Sequence, residues 1–357
     1  MRIAIDAREL TGRPTGVGRY LAGLLREWSA PAARHGHEFL LYTHQADGMS
    51  TWPCTIRTLP GSGGTMWEQR TLPAALAADR PDVLFSPAYS TPLFTRTPRV
   101  VALHDLSFVA HPEWFALREG VRRRFLARAS AAAARAIVTI SRFSRDEIVH
   151  RLRVRRERVH VVPPGIDPPS PVTPSGHAEG THVLYVGSIF NRRHIPDLIA
   201  GFDLVALAHA DASLHMVGDN RSHPHQDISR LIAARSTASR MHWHRYVGEG
   251  QLRQLYRQAH AFVFLSEYEG LGLTPLEALA AGVPPLLLDT PVARESCGPS
   301  ALYVPACDAR SVADALTQLL YDEGTRRALL LEAPSVLARY DWSVSARETL
   351  AVIEGAA

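Results

Sequence analysis

Ala261-Phe-Val-Phe-Leu265, and a few residues on Glu269-Gly-Leu-Gly-Leu-Thr-Pro-Leu-Glu277, read as strand, glycine turn and helix start. The apolar run is a buried strand. Gly270 and Gly272 keep the turn bare, so a ligand can reach the backbone around Leu271 and Leu273. Thr274 and Pro275 are expected as N-cap and first helical residue, which turns free N–H groups and the positive helix end toward the turn. That is an anion seat at the carboxyl end of a strand, where open α/β sheets bind ligands. A diphosphate there leaves Glu277 to accept from a ribose and Glu269 from a sugar. The same letters also spell a capping box, with Glu277 reaching back to Thr274 N–H. On this segment alone both readings stand.

The strand-then-helix pattern extends in both directions. Strands are expected at 182–187, 213–218, 241–247, 284–288 and 301–304, each followed by helical patterning, and the rest of the chain repeats the theme at 2–7, 39–42, 83–86, 99–103 and 136–140. Alternation of this kind argues for parallel sheets wound on both faces. Between the two series the run Val161-Val-Pro-Pro-Gly-Ile-Asp-Pro-Pro-Ser-Pro is too proline-dense for helix or central strand. The expected organisation is therefore α/β: a domain over 1–165, a linker over 166–181, a second domain over 182–343, and a short helix over 344–357 that packs back on the first domain. Two Rossmann-like doubly wound domains then face a cleft. Gly16-x-Gly18 falls at a strand-to-helix turn, but it lacks the third glycine and the downstream acid of a dinucleotide fingerprint. No cofactor is expected.

Composition narrows the class. The chain has 357 residues, 46% hydrophobic, and no apolar run long enough to span a membrane. Its N-terminus enters a strand at once and carries an early acid, unlike a signal peptide. Cys54, Cys297 and Cys307 have no metal spacing, which fits a reducing cytoplasm. A net charge of +4 without basic–aromatic interleaving argues against nucleic acid as a partner. Arginines do gather over 118–128, around Phe125 and Leu126; this is either a solvated face or a surface for anionic lipid headgroups at the inner face of a membrane. The pairs His35/His37, His223/His225 and His242/His244 each share a face on a strand. Nothing in sequence joins them, no Asp-x-Asp is present, and a chain with 17 histidines produces such pairs by chance. No metal is expected.

Several segments together resemble the retaining GT-B glycosyltransferases, family 4-like, in their bacterial mannosyltransferase branch. They are Met1-Arg-Ile-Ala-Ile-Asp-Ala-Arg8, the stretch from Thr15 to Tyr20, His104-Asp-Leu-Ser-Phe108 with His111-Pro-Glu-Trp-Phe115, Ser141 to Ile148, Val162-Pro-Pro-Gly-Ile-Asp167, Ser266 to Glu277, and Tyr340-Asp-Trp342. The resemblance implies metal-independent transfer of a hexose from a nucleotide-diphosphate sugar to a hydroxyl acceptor. The favoured donor is GDP-mannose, with UDP-glucose still open, and the favoured acceptor is a glycan or lipid-linked intermediate of surface polysaccharide synthesis. It assigns Glu269 and His104 to the donor sugar, Arg192 and Arg193 to the diphosphate, Glu277 to the ribose, and backbone near Val247 to the base. Gly16 and Gly18 would admit the donor phosphate or acceptor. Asp105 is expected to serve a turn or cap and not as a base. Two departures are visible: Arg192-Arg193-His194 stands where the family has Arg-Lys-Asn, and Gly218-Asp-Asn-Arg replaces a Gly-x-Gly. A nucleotide-sugar epimerase of the same fold and an inactive nucleotide-sugar-binding protein are the rival readings.

Overall fold

The computed structural model describes every residue except 13–15, 31–35, 48, 50, 51 and 168–179. The chain forms two units, Met1–Gly165 with Tyr340–Ala357, and Ile166–Arg339. In unit 1 the strands are β1 (Arg2–Asp6), β2 (Glu38–Thr43), β3 (Thr55–Thr58), β4 (Val83–Ser86), β5 (Arg99–Ala102), β6 (Ala136–Thr139) and β7 (Val159–Val161). Among the described residues they make a seven-stranded parallel sheet in the order β3-β2-β1-β4-β5-β6-β7. Unit 2 holds β8 (Thr181–Val186), β9 (Ala212–Val217), β10 (Met241–His244), β11 (Ala261–Phe264), β12 (Pro285–Leu288) and β13 (Leu302–Val304). Its six-stranded parallel sheet runs β10-β9-β8-β11-β12-β13. In both sheets the order reverses beside the first strand, between β1 and β4 and between β8 and β11. Loops leave in opposite directions there and open a crevice at the strands' carboxyl ends.

The central strands are buried on both faces, as the apolar runs Ile3-Ala-Ile5 and Phe262-Val-Phe264 require. Helix Gly16–Ser29 turns Tyr20, Leu21, Leu24, Leu25 and Trp28 into unit 1 at i, i+1, i+4, i+5 and i+8. Each such leucine contributes about 1.5–3 kcal/mol by burial. Helix Trp342–Ala356 packs against it, burying Ala346, Leu350 and Ile353, and Ala346 O accepts from Trp28 Nε1 at 3.0 Å.

Several expectations shift. β3 escapes the pattern because it is an edge strand, mostly exposed, with a single apolar residue. β7 and the buried Val162 and Pro164 take the start of the proline-dense run into unit 1; from residue 168 on, the run lies outside the described residues. Gly16 and Gly18 sit inside the first turn of their helix and not in the turn before it. The last helix starts at Trp342, two residues early, because Asp341 caps it by accepting from Val344 N–H at 3.0 Å.

Candidate functional site

Across the reversal in unit 2, the loop after β8 meets the loop after β11. Arg193 follows β8 in a short 3-10 turn (Asn191–Arg193), and its side chain reaches the loop after β11. Its Nε and Nη2 donate to Glu269 Oε1 at 2.9 and 2.8 Å, and its Nη1 donates to Ser188 O at 2.7 Å. The guanidinium also lies over the Phe264 ring, 4.6 Å from its centroid. Burial alone would lower the Arg193 pKa; the Glu269 carboxylate and the Tyr185 hydroxyl outweigh it and hold the pKa raised. Ser266 Oγ adds a third donor to Glu269 Oε1 at 2.8 Å. Glu269 Oε2, by contrast, has no donor among the described residues. Glu269 also borders a small cavity, together with Ser266, Leu271, Gly272, Pro275 and Thr290. The carboxylate is thus fixed through one oxygen and presented through the other.

Helix Leu273–Ala280 begins at the edge of that cavity, with Gly272 as its N-cap in the left-handed region (φ +87°) and no side-chain cap. This corrects the expected start: Thr274 is the second helical residue and Pro275 the third. Only glycine holds such a φ without strain, and proline is tolerated there because first-turn N–H groups lack intrahelical partners. A capping box needs Thr274 at the cap, so that rival reading of Glu277 fails. Glu277 lies farther along the same helix, half-buried. Arg192 is buried; its Nε donates to Tyr268 O at 3.2 Å and its guanidinium covers Phe190. It braces the 266–272 loop. His194 adopts φ +50°, ψ +41°, a region that asparagine and histidine tolerate better than most residues. That accounts for a histidine in the position of an asparagine, and its Nε2 also meets Glu267 Oε1 at 2.6 Å. Val247 is buried after β10, beside exposed Tyr246.

In unit 1, His104 follows β5. Its Nε2 lies 2.8 Å from Pro87 O. A carbonyl only accepts, so Nε2 carries the proton and Nδ1 presents a lone pair. Nδ1 has no partner among the described residues and is not enclosed. Burial lowers the His104 pKa, so the ring is a neutral acceptor near pH 7. Asp105 Oδ1 accepts from Ser107 N and Oγ, a turn role. Ser266, the first residue of the motif stretch, and the Pro87 carbonyl are contributors to which the sequence reading gave no role. Ser266 lies two residues past β11, which is a usable signal; the carbonyl leaves none in the sequence.

Elsewhere, His242 and His244 do not stand apart. Their rings lie 4.8 and 6.2 Å from His215, which is 5.8 Å from His182, and His182 is 6.0 Å from His260. Among the described residues no group of three His, Cys, Asp or Glu side chains is arranged to hold a metal. His35 lies outside the described residues. The helix Leu117–Ala133 exposes Leu117, Val121 and Phe125 at i, i+4 and i+8. Val121 and Phe125 line a shallow pocket with Arg124 and Arg128, and Arg122 donates to Thr65, next to exposed Met66. No described helix is long and apolar enough to cross a membrane.

Two family models match, one in each half: Glycosyltransferase Family 4 over residues 14–169 and Glycosyl transferases group 1 over residues 175–334. The chain is 26% identical over 269 residues to O-antigen chain mannosyltransferase B of Escherichia coli, covering 70% of this chain and 68% of that protein. It is 26% identical over 251 residues to the GDP-mannose:cellobiosyl-diphosphopolyprenol alpha-mannosyltransferase of Xanthomonas oryzae, covering 69% and 64%. Among solved structures, Anabaena Alr3699/HepE in complex with UDP and glucose superposes with a TM-score of 0.79 at 16% identity, covering 99% of this chain and 100% of that one.

Proposed function

We propose, for a chain that belongs to the family 4-like GT-B glycosyltransferases, that it transfers a hexose with retention from a nucleotide-diphosphate sugar to a hydroxyl acceptor. Mannose from GDP-mannose is the favoured donor. The favoured acceptor is a glycan or lipid-linked intermediate of surface polysaccharide synthesis; the lipid-linked choice is supported by the cellobiosyl-diphosphopolyprenol in the name of the Xanthomonas relative. The observation that carries this reading is the half-committed carboxylate. Glu269 Oε1 is clamped by Arg193 and Ser266 while Oε2 has no donor among the described residues, and the residue lines a cavity beside an uncapped helix N-terminus.

In this reading Glu269 Oε2 accepts from a donor-sugar hydroxyl. The diphosphate sits against the N–H groups of Leu273 and Thr274, in the field of the helix, with the unused edge of Arg193 beside it. Charge grows on the diphosphate as the glycosidic bond breaks, so these donors act most strongly in the transition state. The acceptor hydroxyl attacks from the face that the nucleotide leaves and passes its proton to the departing phosphate. His104 Nδ1 takes a hydroxyl hydrogen of the same sugar, Glu277 accepts from the ribose, and backbone at Val247 meets the base. Gly16 and Gly18 keep the first helical turn of unit 1 open to the donor phosphate or acceptor. Arginines and amides supply the positive charge, so no metal enters. An epimerase of this fold would need an acid/base set for elimination, whereas the Glu269–Glu277 signature is the one that resembles transferases. The exposed stripe Leu117, Val121, Phe125 among arginines is assigned to anionic lipid, near a lipid-linked acceptor.

The test is an assay with GDP-mannose or UDP-glucose and a polyprenyl-diphosphate-linked saccharide, in excess EDTA, with and without phosphatidylglycerol vesicles. The expected result is nucleoside diphosphate release and a product of unchanged anomeric configuration, with protein co-sedimenting on the anionic vesicles. Inversion, or activity that EDTA abolishes and manganese restores, refutes the mechanism. Indifference to vesicles refutes the lipid contact.

A further inference from the structure

Two aromatic residues within the family-like motifs, Tyr20 and Trp342, have no part in the chemistry above, yet they form one packed line that ends at His104. The Trp342 indole lies against two backbones that carry no side chain, since a Cβ on Gly23 or on Gly165 would overlap it. Gly165 is where the first stretch of unit 1 ends, and Trp342 comes just after the chain returns to that unit at Tyr340. The Arg26 guanidinium covers the indole at 5.9 Å. The next ring inward is Tyr20, 6.5 Å from Trp342, and Tyr20 meets the His104 imidazole at 4.6 Å and 73°. Tyr20 is buried, and the side chain its hydroxyl interacts with is Thr349 and not His104. Toward His104 the ring is the part in use. The bond from His104 Nε2 to Pro87 O holds one atom of the imidazole and leaves the ring free to tilt about that contact. An aromatic edge packed at right angles removes that freedom.

We propose that Tyr20 and Trp342 are positioning residues for His104: Trp342, clasped by Gly23 and Gly165, holds the Tyr20 ring, and Tyr20 sets the tilt of the imidazole and so the direction of Nδ1. The inference rests on the reading that His104 meets the donor sugar.

The test combines two readouts on the full chain. In the unliganded protein, ¹⁵N chemical shifts of the His104 ring are compared among the parent, Tyr20→Leu, Tyr20→Phe, Trp342→Leu and Trp342→Phe. Nucleotide release from GDP-mannose or UDP-glucose is measured for the same set, for His104→Ala, and for His104→Ala with Tyr20→Leu. Both leucine variants should move the imidazole shifts and lower kcat about tenfold with little change in donor KM, while both phenylalanine variants recover most of the loss. In the His104→Ala background, Tyr20→Leu should cost nothing further. A full additional loss there, or leucine variants with parental shifts, overturns the proposal. If His104→Ala itself turns over like the parent, the donor reading of His104 fails, and the ¹⁵N shifts alone decide the positioning. Melting temperature is followed throughout, and Tyr20→Met or Trp342→Met replaces any leucine variant that does not fold.

Discussion

Both units bury an arginine against carboxylate at the same topological place, just past the first strand of a sheet whose order reverses there, yet the two clusters are finished differently. In unit 1, Arg8 Nη2 meets Asp6 Oδ2 and Glu68 Oε1, both at 2.6 Å. The remaining oxygens are also taken: Asp6 Oδ1 by Arg8 Nε at 2.9 Å and Glu68 Oε2 by Gln69 Nε2 at 2.8 Å, while Ser90 Oγ adds a second donor to Glu68 Oε1. One arginine serves two carboxylates and every oxygen is used. In unit 2, Arg193 serves a single carboxylate, one oxygen of which has no donor among the described residues, and that Glu269 lines a cavity. A buried ion pair is therefore no marker of a site by itself. The marker is an acceptor that the protein holds in place and leaves unsatisfied.

If that contrast is right, substitutions should separate cleanly into losses of stability and losses of turnover. The largest effect is expected at the closed cluster. Arg8→Ala strands two carboxylates in unit 1 and should cost about 3–5 kcal/mol of folding free energy. Urea denaturation reads this, while the folded fraction should keep far more turnover than the Arg193 variant does. A stability loss under about 1 kcal/mol, the scale of an exposed pair, would mean the unit 1 cluster is not the sealed one described.

At the open cluster the loss should appear in rate. Arg193→Ala removes the clamp on Glu269 and, in the proposed reading, a cation beside the leaving group; the expected loss is about 2.7–4 kcal/mol or 10²–10³ in kcat. Arg193→Lys should restore only part of it, because a point charge cannot span Glu269 and Ser188 O as the guanidinium fork does. An alanine variant within about threefold of the parent in kcat, well short of that rate loss, but with a sharply lower melting temperature would make this pair structural like its counterpart.

Glu277→Gln probes the same helix without touching the ion pair. Nucleotide affinity should weaken by about 1.5–3 kcal/mol, the worth of hydrogen bonds to a charged acceptor, with ligand-free stability little altered. Titration calorimetry with GDP and UDP measures it. Unchanged affinity for both nucleotides removes Glu277 from the ribose.

Acid should separate the units more gently. Burial, with His242, His182 and His244 nearby, lowers the His215 pKa to about 4. Above about pH 6.5 the ring is neutral in both folded and unfolded chains, so it contributes no pH dependence. As pH falls from there toward 4 the unfolded chain binds the proton first, and stability is lost across that window. After allowance for solvent screening the effect should not exceed about 2 kcal/mol. His215→Leu should flatten the melting-temperature profile between pH 7.5 and 4.5. An identical slope in that variant would exclude the histidine array as its source.

Sequence alone determined the parallel α/β architecture, the two halves and the segment in which the candidate site lies, because these follow from local causes. Strand and helix periods, glycine in a turn and proline near a helix start act over a few residues. The same locality set the limits of that reading. Exposed β3 has no apolar alternation to betray it, and the true cap at Gly272 is masked by Thr274-Pro275, which spells a cap and first helical residue two positions later. The tertiary structure decided the rest. That Arg193 is spent on Glu269, 76 residues away, that His104 turns its proton to Pro87 and its lone pair outward, and that five scattered histidines meet across strands are all consequences of strand order. Strand order is settled by the packing of whole sheets, where the free energy of many contacts is shared, and no single segment of the chain encodes it.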